Sequence, residues 1–256
     1  APASAPKRTS VADEAPSVLV LTGAGMSAES GIPTFREAQT GLWARYRPEE
    51  LATPEAFRAH PARVWRWYEE RRAGVREARP HPGHRALVEL ASMLPAVHIV
   101  TQNVDGLHQR AGSRNVVELH GNILRSKCSV SHRPISAEWL LDAAGEPPPS
   151  PYVRGAFARP DVVWFGETLP QAAFDSAVRI AGNCTFCFSV GTTSLVQPAA
   201  GLPLPEDPTW ALRLPRRNIL RDVTASPSGR EESPPPPRQA LADLPVKLQV
   251  DQLFKM

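Results

Sequence analysis

The chain has 256 residues, of which 29 are Lys or Arg and 26 are Asp or Glu, so its formal net charge is only +3 at pH 7. This slight charge argues against binding to nucleic acid or to a membrane surface through bulk electrostatics. No apolar run approaches the roughly 20 residues that a membrane-spanning helix needs, and three Cys are too few for a disulfide scaffold. No secretion signal is recognisable at the start of the chain. We therefore expect a cytoplasmic protein in a reducing compartment.

Proline is the unusual residue, because its 28 occurrences are about twice the usual share of roughly 5%. The prolines gather in regions that lack a regular apolar pattern. We expect residues 1–16 to form a disordered tail, 146–151 an extended loop and 202–256 an atypical Pro-rich C-terminal segment. The patterned part, residues 17–201, is long enough for one domain with a smaller inserted lobe.

Continuous apolar runs predict strands at residues 18–21, 97–100, 116–119 and 186–190. Runs without polar alternation are typical of strands buried on both faces of a parallel sheet. Helix-like segments lie between these runs, for example residues 84–94. Strand–helix–strand order predicts an α/β fold with a doubly wound, Rossmann-like parallel sheet.

Small or polar residues follow each of these runs, at 22–25, 101–105, 120–121 and 191–194. In a doubly wound sheet, ligands bind at the carboxyl ends of the strands, and the ends of neighbouring parallel strands lie together. The sequence therefore predicts that these four segments converge on one crevice.

The turn after the first run contains Gly23, Gly25 and Ala28, which satisfy the G-x-G-x-x-G/A dinucleotide-binding pattern. Such glycines allow the backbone to approach a pyrophosphate at a helix N-terminus, although a tight turn without a ligand explains the pattern equally well. A dehydrogenase of this fold needs a second strand that ends in an acidic residue about 20 residues later. Residues 41–45 are neither strand-like nor acidic, which disfavours hydride transfer.

Five motifs resemble those of the sirtuins and follow the same order. Residues 23–36, GAGMSAESGIPTFR, are similar to the first NAD-binding motif of that family. The other four are QNVD at 102–105, HG at 120–121, VWFGE at 163–167 and GTTS at 191–194. The resemblance implies a catalytic domain at 17–201, with a helical insertion at 36–80 and a remnant of a zinc module at 121–160.

The resemblance implies NAD-dependent removal of acyl groups from protein lysines, an acyl transfer that releases nicotinamide and O-acyl-ADP-ribose. Acylated proteins would be the substrates of a monomeric enzyme. His120 would be the general base, because an imidazole with a pKa of about 6.5 can deprotonate a ribose hydroxyl near neutral pH. Asn103 and Asp105 would complete the catalytic set.

The further roles carried over from the family concern NAD and the substrate. The residues implied to contact NAD are Gly23, Ala24, Gly25, Ser27, Phe35, Arg36, Gln102, Asn103, Asp105, Gly191, Thr192, Ser194 and Val196. Residues 163–167, including Val163, Phe165, Gly166 and Glu167, would pair as a strand edge with an extended substrate peptide.

Helical periodicity over residues 61–78 places Val64, Tyr68 and Val75 on one face, with Arg71 among them. A Tyr hydroxyl and an Arg guanidinium together can bind a carboxylate. This pair resembles the Tyr-x-x-Arg pair of sirtuins that remove succinyl, malonyl or glutaryl groups, so we expect acidic acyl groups to be preferred and acetyl also to be removed. Alternatively, Arg71 reaches solvent or pairs with a local carboxylate such as that of Glu69.

Sirtuins usually hold a structural zinc ion with two Cys-x-x-Cys pairs. Only Cys128 matches here: Ser131 stands at its partner's position, and the second pair is expected near Pro151 and Arg154. His132 could add only a weak ligand, so we expect no zinc.

The remaining cysteines, Cys184 and Cys187, have the Cys-x-x-Cys spacing but adjoin an apolar run. We expect a buried strand with the two side chains on opposite faces, which would exclude a metal site.

After residue 201 a sirtuin would continue with a helix and a strand that meets the adenosine ribose. The nearest candidate strand here is residues 217–220, which is short and flanked by charge. A divergent homologue or a shifted reading frame would both account for this loss of pattern. Two functions therefore stay open: an active deacylase, favoured by His120, Asn103 and Asp105, or a catalytically weak protein that binds NAD or ADP-ribose.

Overall fold

The computed structural model describes residues 17–33, 48–192 and 211–214. The helices are α1 (Pro48–Leu51), α2 (Pro54–Ala59), α3 (Pro61–Glu77), α4 (Pro82–Met93), α5 (Leu107–Ala111), α6 (Ala137–Asp142) and α7 (Gln171–Asn183), with a 3-10 helix at Ala24–Ser30. The strands are β1 (Ser17–Thr22), β2 (Ala96–Thr101), β3 (Val116–Glu118), β4 (Gly121–Cys128), β5 (Pro134–Ile135), β6 (Ala158–Val162), β7 (Phe186–Val190) and β8 (Ala211–Leu214).

The main sheet is parallel throughout, with strand order β3-β2-β1-β7-β8. Its four predicted strands are all present. Thr22, the last residue of β1, lies opposite Thr101 of β2 and Val190 of β7, and Thr101 lies opposite Glu118 of β3. The carboxyl ends of the four strands are therefore level, which confirms that they meet at one edge.

Helices cover both faces of this sheet. On one face, Leu87 and Leu90 of α4 pack with Val18 and Val20 of β1. On the other face, helix α7 contributes Ala177 and Ala181, which pack against strand residues that include Leu19. Successive residues of β1 thus point into different apolar clusters, as expected of a strand buried on both sides. The doubly wound α/β fold is confirmed.

A smaller lobe combines helices α1–α3 with an antiparallel sheet of order β5-β4-β6. Trp67 and Tyr68 of α3 share an apolar cluster with Ile123 of β4. Buried Arg72 joins the same two elements, because its guanidinium donates to the carbonyl of Ile123 at 2.6 Å and to the hydroxyl of Ser126 at 2.8 Å. Helix α3 is therefore held on β4 by both apolar packing and buried hydrogen bonds.

The C-terminal strand differs from the prediction. Residues 211–214 form β8, which pairs in parallel with β7 at the edge of the main sheet. Little in the sequence indicated this strand because prolines surround a run of only four residues, and prolines are tolerated beside a short edge strand. The candidate strand at 217–220 lies outside the described residues, as do the tail at 1–16 and residues 36–47 of the helical insertion. Among the helices described, none is both long and apolar enough to cross a membrane.

Candidate active site

The glycine-rich turn after β1 packs directly against the turn after β7. Gly23 donates its backbone N–H to the carbonyl of Val190 at 3.0 Å, and Gly25 donates to Gly191 at 2.8 Å. A Cβ added to Gly25 would lie 2.7 Å from the Cα of Gly191. Gly191 itself has a φ of 64°, a conformation that other residues rarely adopt. The glycines are thus required by this close approach, and the following helix, which begins at Ala24, is a short 3-10 helix rather than an α-helix.

Ser27, Asn103 and Asp105 form one hydrogen-bonded unit at the ends of β1 and β2. The Ser27 hydroxyl donates to Oδ2 of Asp105 at 2.7 Å. The Asn103 amide donates to the carbonyl of Gly23 at 3.0 Å and to the Ser27 hydroxyl at 3.1 Å. Burial raises the pKa of Asp105, while hydrogen bonds from the Leu107 backbone and Ser27 oppose this shift. Three of the predicted site residues are therefore brought together in a fixed arrangement.

His120 lies beside this unit and is oriented by Gln102. Its Nδ1 is 3.0 Å from the backbone carbonyl oxygen of Gln102. Because a carbonyl can only accept, Nδ1 carries the proton in this bond and Nε2 keeps its lone pair. Burial lowers the pKa of His120, against the opposing effect of the Gln102 bond. The imidazole is therefore held neutral near pH 7, with Nε2 as the available base.

The Gln102 side chain connects β2 to the turn after β7. Its Nε2 donates to the hydroxyl of Thr192 at 3.3 Å. Gln102 therefore contacts His120 through its backbone carbonyl and Thr192 through its side-chain amide. Four further residues implied to contact NAD, namely Phe35, Arg36, Ser194 and Val196, lie outside the described part of the chain.

The segment 163–167 leaves β6 beside His120. The Val163 backbone donates to the carbonyl of His120 at 2.9 Å, and Phe165 donates to the carbonyl of Ala52 at 2.9 Å. The Phe165 ring is 48% exposed, and Gly166 turns the chain with a φ of 85°. Strand β6 ends at Val162, so this segment is a turn in the structure rather than part of a strand.

The Glu167 side chain holds the 163–167 turn in place through buried hydrogen bonds. Its carboxylate accepts two bonds from Arg159, at 2.5 and 2.9 Å, and one from the Trp164 backbone at 2.8 Å. Although burial alone would raise the pKa of Glu167, the Arg159 and Trp164 bonds hold it below its usual value. Its carboxylate is therefore committed to the protein interior.

Tyr68 contacts the same turn, and Arg71 lies near Tyr68 on α3. The buried Tyr68 hydroxyl accepts the indole N–H of Trp164 at 2.9 Å. Burial raises the pKa of Tyr68 to about 12, against the effect of the nearby Arg71 charge. The Arg71 guanidinium carbon is 5.0 Å from the centre of the Trp67 ring. Tyr68 therefore remains a neutral hydroxyl, with a cationic side chain beside it.

The local carboxylate considered as a partner for Arg71 has other partners. Glu69 lies 2.5 Å from the guanidinium of Arg72 and 4.0 Å from that of Arg76. Burial lowers the pKa of Arg71, and the proximity of Tyr68 opposes this shift. The Glu69 carboxylate is thus engaged by Arg72 and Arg76.

The surroundings of Cys128 show what lies where a sirtuin would hold its zinc ion. The Sγ of buried Cys128 accepts the Ser131 backbone N–H at 3.4 Å, and the Ser150 side chain lies near this sulfur. Ser150 and Val153, which adjoin Pro151 and Arg154, both lie near Cys128, and Val153 packs in the same apolar cluster. One thiol with serine hydroxyls and a valine does not fit zinc, which takes four Cys or His ligands in structural sites. In the described part of the chain no cluster of three metal-binding side chains occurs.

Metal analysis of the purified protein tests whether the zinc site has been lost. We expect the purified protein to contain far less than one zinc ion per chain, with a melting temperature unaffected by a chelator. Restoring the three lost positions in the variant S131C/S150C/V153C is expected to create a four-thiolate site that binds about one zinc. Stoichiometric zinc in the unmodified protein would contradict this expectation.

Cys184 and Cys187 do not point to opposite faces as predicted. Both pack in the cluster that includes Leu19 and Ala177. The two-residue alternation does not apply because Cys184 precedes β7 and terminates α7. Burial raises the pKa of both thiols, that of Cys187 to about 11. These thiols are therefore part of the apolar core.

Two buried arginines were not singled out by sequence reasoning. Arg72 fastens α3 to β4, and Arg159 carries its guanidinium carbon 3.3 Å from the centre of the Trp164 ring. The sequence carries little signal for either residue, because Arg159 shares the segment 158–162 with Asp161 and Arg72 lies among the other charged residues of α3. Both residues position the walls of the site through buried polar contacts.

Comparisons with known proteins place these features in a family. Residues 23–198 match the Sir2 family. An NAD-dependent protein deacylase of Ralstonia nicotianae is 53% identical over 194 residues, which cover 73% of this chain and 74% of the relative. An NAD-dependent protein deacylase of Thermus thermophilus is 50% identical over 194 residues, with 74% of each chain covered.

Solved structures agree. A Sir2 homolog–NAD complex superposes with a TM-score of 0.70 at 44% identity and covers 78% of each chain. A Sir2–p53 peptide–NAD+ complex gives a TM-score of 0.63 at 32% identity, covering 75% of this chain and 77% of the other. The chain belongs to the Sir2 family, the sirtuins.

Proposed function

We propose that this protein is an NAD-dependent protein-lysine deacylase. The observation that carries the proposal is His120, whose Nδ1–H is fixed by Gln102 so that Nε2 remains basic beside the buried Ser27–Asn103–Asp105 unit. The two relatives described above are named as deacylases, and the solved homologues include an NAD complex. These names and this geometry support the same reaction.

The fit to NAD follows from the strand ends. NAD supplies the nicotinamide leaving group and the ribose that accepts the acyl group. The Asn103 amide, held by Gly23 and Ser27, would position the ribose, and Asp105 would position the nicotinamide amide. His120 would take a proton from a ribose hydroxyl at Nε2, which is the kind of transfer that a neutral imidazole performs at neutral pH.

We further propose that succinyl and malonyl groups are preferred over acetyl. The support is the neutral Tyr68 hydroxyl, which contacts Trp164 in the 163–167 turn where the substrate lysine would enter, together with the Arg71 charge near that hydroxyl. A guanidinium can bind both oxygens of a carboxylate, and burial strengthens that interaction because water competes less. An acetyl group offers no carboxylate to this pair.

A second candidate function is binding of NAD or ADP-ribose with little turnover. The replacement of the family's zinc ligands around Cys128 favours it, because the smaller lobe carries one wall of the site. We propose that in either case the protein acts as a cytoplasmic monomer, in which its three buried thiols remain free.

One assay separates these functions. The protein is incubated with NAD and with matched acetyl-lysine and succinyl-lysine peptides, and nicotinamide release is followed. We expect release with both peptides and a higher kcat/KM for the succinyl peptide. NAD binding without release would select the binding function.

A further inference from the structure

Three histidine rings form a row beside the proposed site; they meet at interplanar angles of 70° and 56° rather than face to face, and we call this row the histidine stack. The ring centres of His81 and His84 are 4.4 Å apart, and those of His84 and His108 are 4.9 Å apart. His84 is 0% exposed and His108 is 1% exposed. These residues belong to neither the proposed catalytic set nor the residues proposed to contact NAD, so their presence in the interior needs another explanation.

Each end of the stack holds a different loop of the site. At one end, Nε2 of His81 bonds to the carbonyl of Met26 at 2.5 Å, inside the 3-10 helix that follows Gly23. At the other end, Nε2 of His108 is 3.0 Å from the hydroxyl of Thr22, the last residue of β1. The stack therefore contacts the glycine-rich turn and the end of its strand.

Two threonine hydroxyls extend this contact to Asn103. The Thr22 hydroxyl donates to that of Thr101 at 2.8 Å, and the Thr101 oxygen accepts the backbone N–H of Asn103 at 3.0 Å. Both threonines are almost completely buried and face each other across β1 and β2. Valine has nearly the same shape as threonine and would bury no polar group at these two positions. The threonine hydroxyls are therefore the groups on which this contact depends.

The direction of the bonds fixes the form of His108. Because Thr22 uses its proton toward Thr101, its oxygen accepts from His108, and the His108 proton must lie on Nε2. Consistently, Nδ1 of His108 has no hydrogen-bond partner among the described residues. Burial lowers the pKa of His108 to about 4 and that of His84 to about 3, so both rings stay neutral at physiological pH.

We propose that His108 is a positioning residue for Asn103, acting through Thr22 and Thr101. The chain of bonds holds the backbone N–H of Asn103, while the side-chain amide of Asn103 bonds to Gly23 and Ser27. Without the Nε2 donor of His108, the Thr22 side chain can rotate away from Thr101. The turn at Asn103 then loses this support. The link to catalysis rests on the proposed function, in which Asn103 contacts the ribose of NAD.

The test compares H108L, which removes the donor, with H108Q, whose side-chain amide can still donate to Thr22. T101V is the third variant, because it removes the acceptor of the Asn103 N–H without changing the side-chain shape. Three quantities are measured: the melting temperature, the Kd for NAD and the hydrogen-exchange rate of the Asn103 amide without NAD. The Leu107 amide, which bonds to Asp105, is the internal reference.

H108L and H108Q should lower the melting temperature similarly, since neither restores the stack. We expect H108L and T101V to weaken NAD binding about tenfold, the scale of one lost hydrogen bond, and to speed Asn103 exchange relative to Leu107. H108Q should stay within about threefold of the unmodified protein in both quantities.

Equal loss of NAD affinity in H108Q and H108L would overturn the proposal, because His108 would then act only by packing. Unchanged Asn103 exchange in both H108L and T101V would also overturn it. Failure of the proposed deacylase function would be seen separately, because the unmodified protein would then release no nicotinamide. In that case the hydrogen-exchange rates of Asn103 in the variants still test the role of His108.

Discussion

Replacing Arg71 with Met is expected to lower kcat/KM for a succinyl-lysine peptide about 100-fold, because a desolvated carboxylate would lose its charged partner. The same variant should change kcat/KM for an acetyl-lysine peptide by less than about threefold, since that substrate carries no carboxylate to bind. The measurement is nicotinamide release at saturating NAD, with both peptides sharing one sequence. The ratio of the two kcat/KM values is the decisive quantity.

Arg66 offers a matched control on the same helix. Its side chain is 61% exposed and lies 3.8 Å from that of Glu146, so R66M makes the same chemical change at the surface of α3. This variant should leave both substrates unaffected. Equal losses with the two peptides in R71M would show that Arg71 supports the fold of the site rather than recognition of the acyl carboxylate.

Replacing His120 with Ala should reduce nicotinamide-coupled deacylation about 1000-fold, the middle of the range for loss of a general base. NAD affinity and melting temperature should change little, because the imidazole makes its described hydrogen bond only with the Gln102 carbonyl. His60, an exposed residue at the start of α3, is the control, and H60A should retain activity. Turnover by H120A near that of the unmodified protein would exclude the general-base role.

The pH dependence tests the same residue in a second way. Burial lowers the pKa of His120, so the neutral, basic form persists to lower pH than it would for an exposed histidine. The acid limb of kcat/KM should therefore have its midpoint below about 6.5, the ordinary value for His. A midpoint above that value would indicate that another group controls the reaction.

Much of the fold was predictable because its signals are local. Four continuous apolar runs identified the strands β1, β2, β3 and β7, and the polar residues after them identified the edge at which they meet. Helix α3 was predicted with only its last residue different, since Val64, Tyr68 and Val75 mark its buried face. The edge strand β8 was missed because four residues among prolines carry almost no periodic signal.

Parts of the site depend on contacts between distant segments. Ser150 lies near the Cys128 sulfur although 22 residues separate the two in the sequence, and no local pattern predicts that meeting. The partner of Glu69 is the neighbouring Arg72, and nothing in the sequence distinguishes it from Arg71 on the same helix. Which arginine pairs with Glu69 depends on which arginine side chain is buried against the smaller lobe.

By itself the sequence determined the α/β class and the sheet edge at which the polar strand ends meet, because strand patterns and the residues that follow them are encoded locally. The tertiary structure alone decided how these groups are oriented. The Gln102 carbonyl selects the basic nitrogen of His120, Arg159 withdraws Glu167 into the interior, and the histidine stack reaches Asn103 through two threonines. The direction of a hydrogen bond depends on which atoms the folded sheet brings together. The spacing of residues that are far apart in the sequence does not indicate which of them will be in contact.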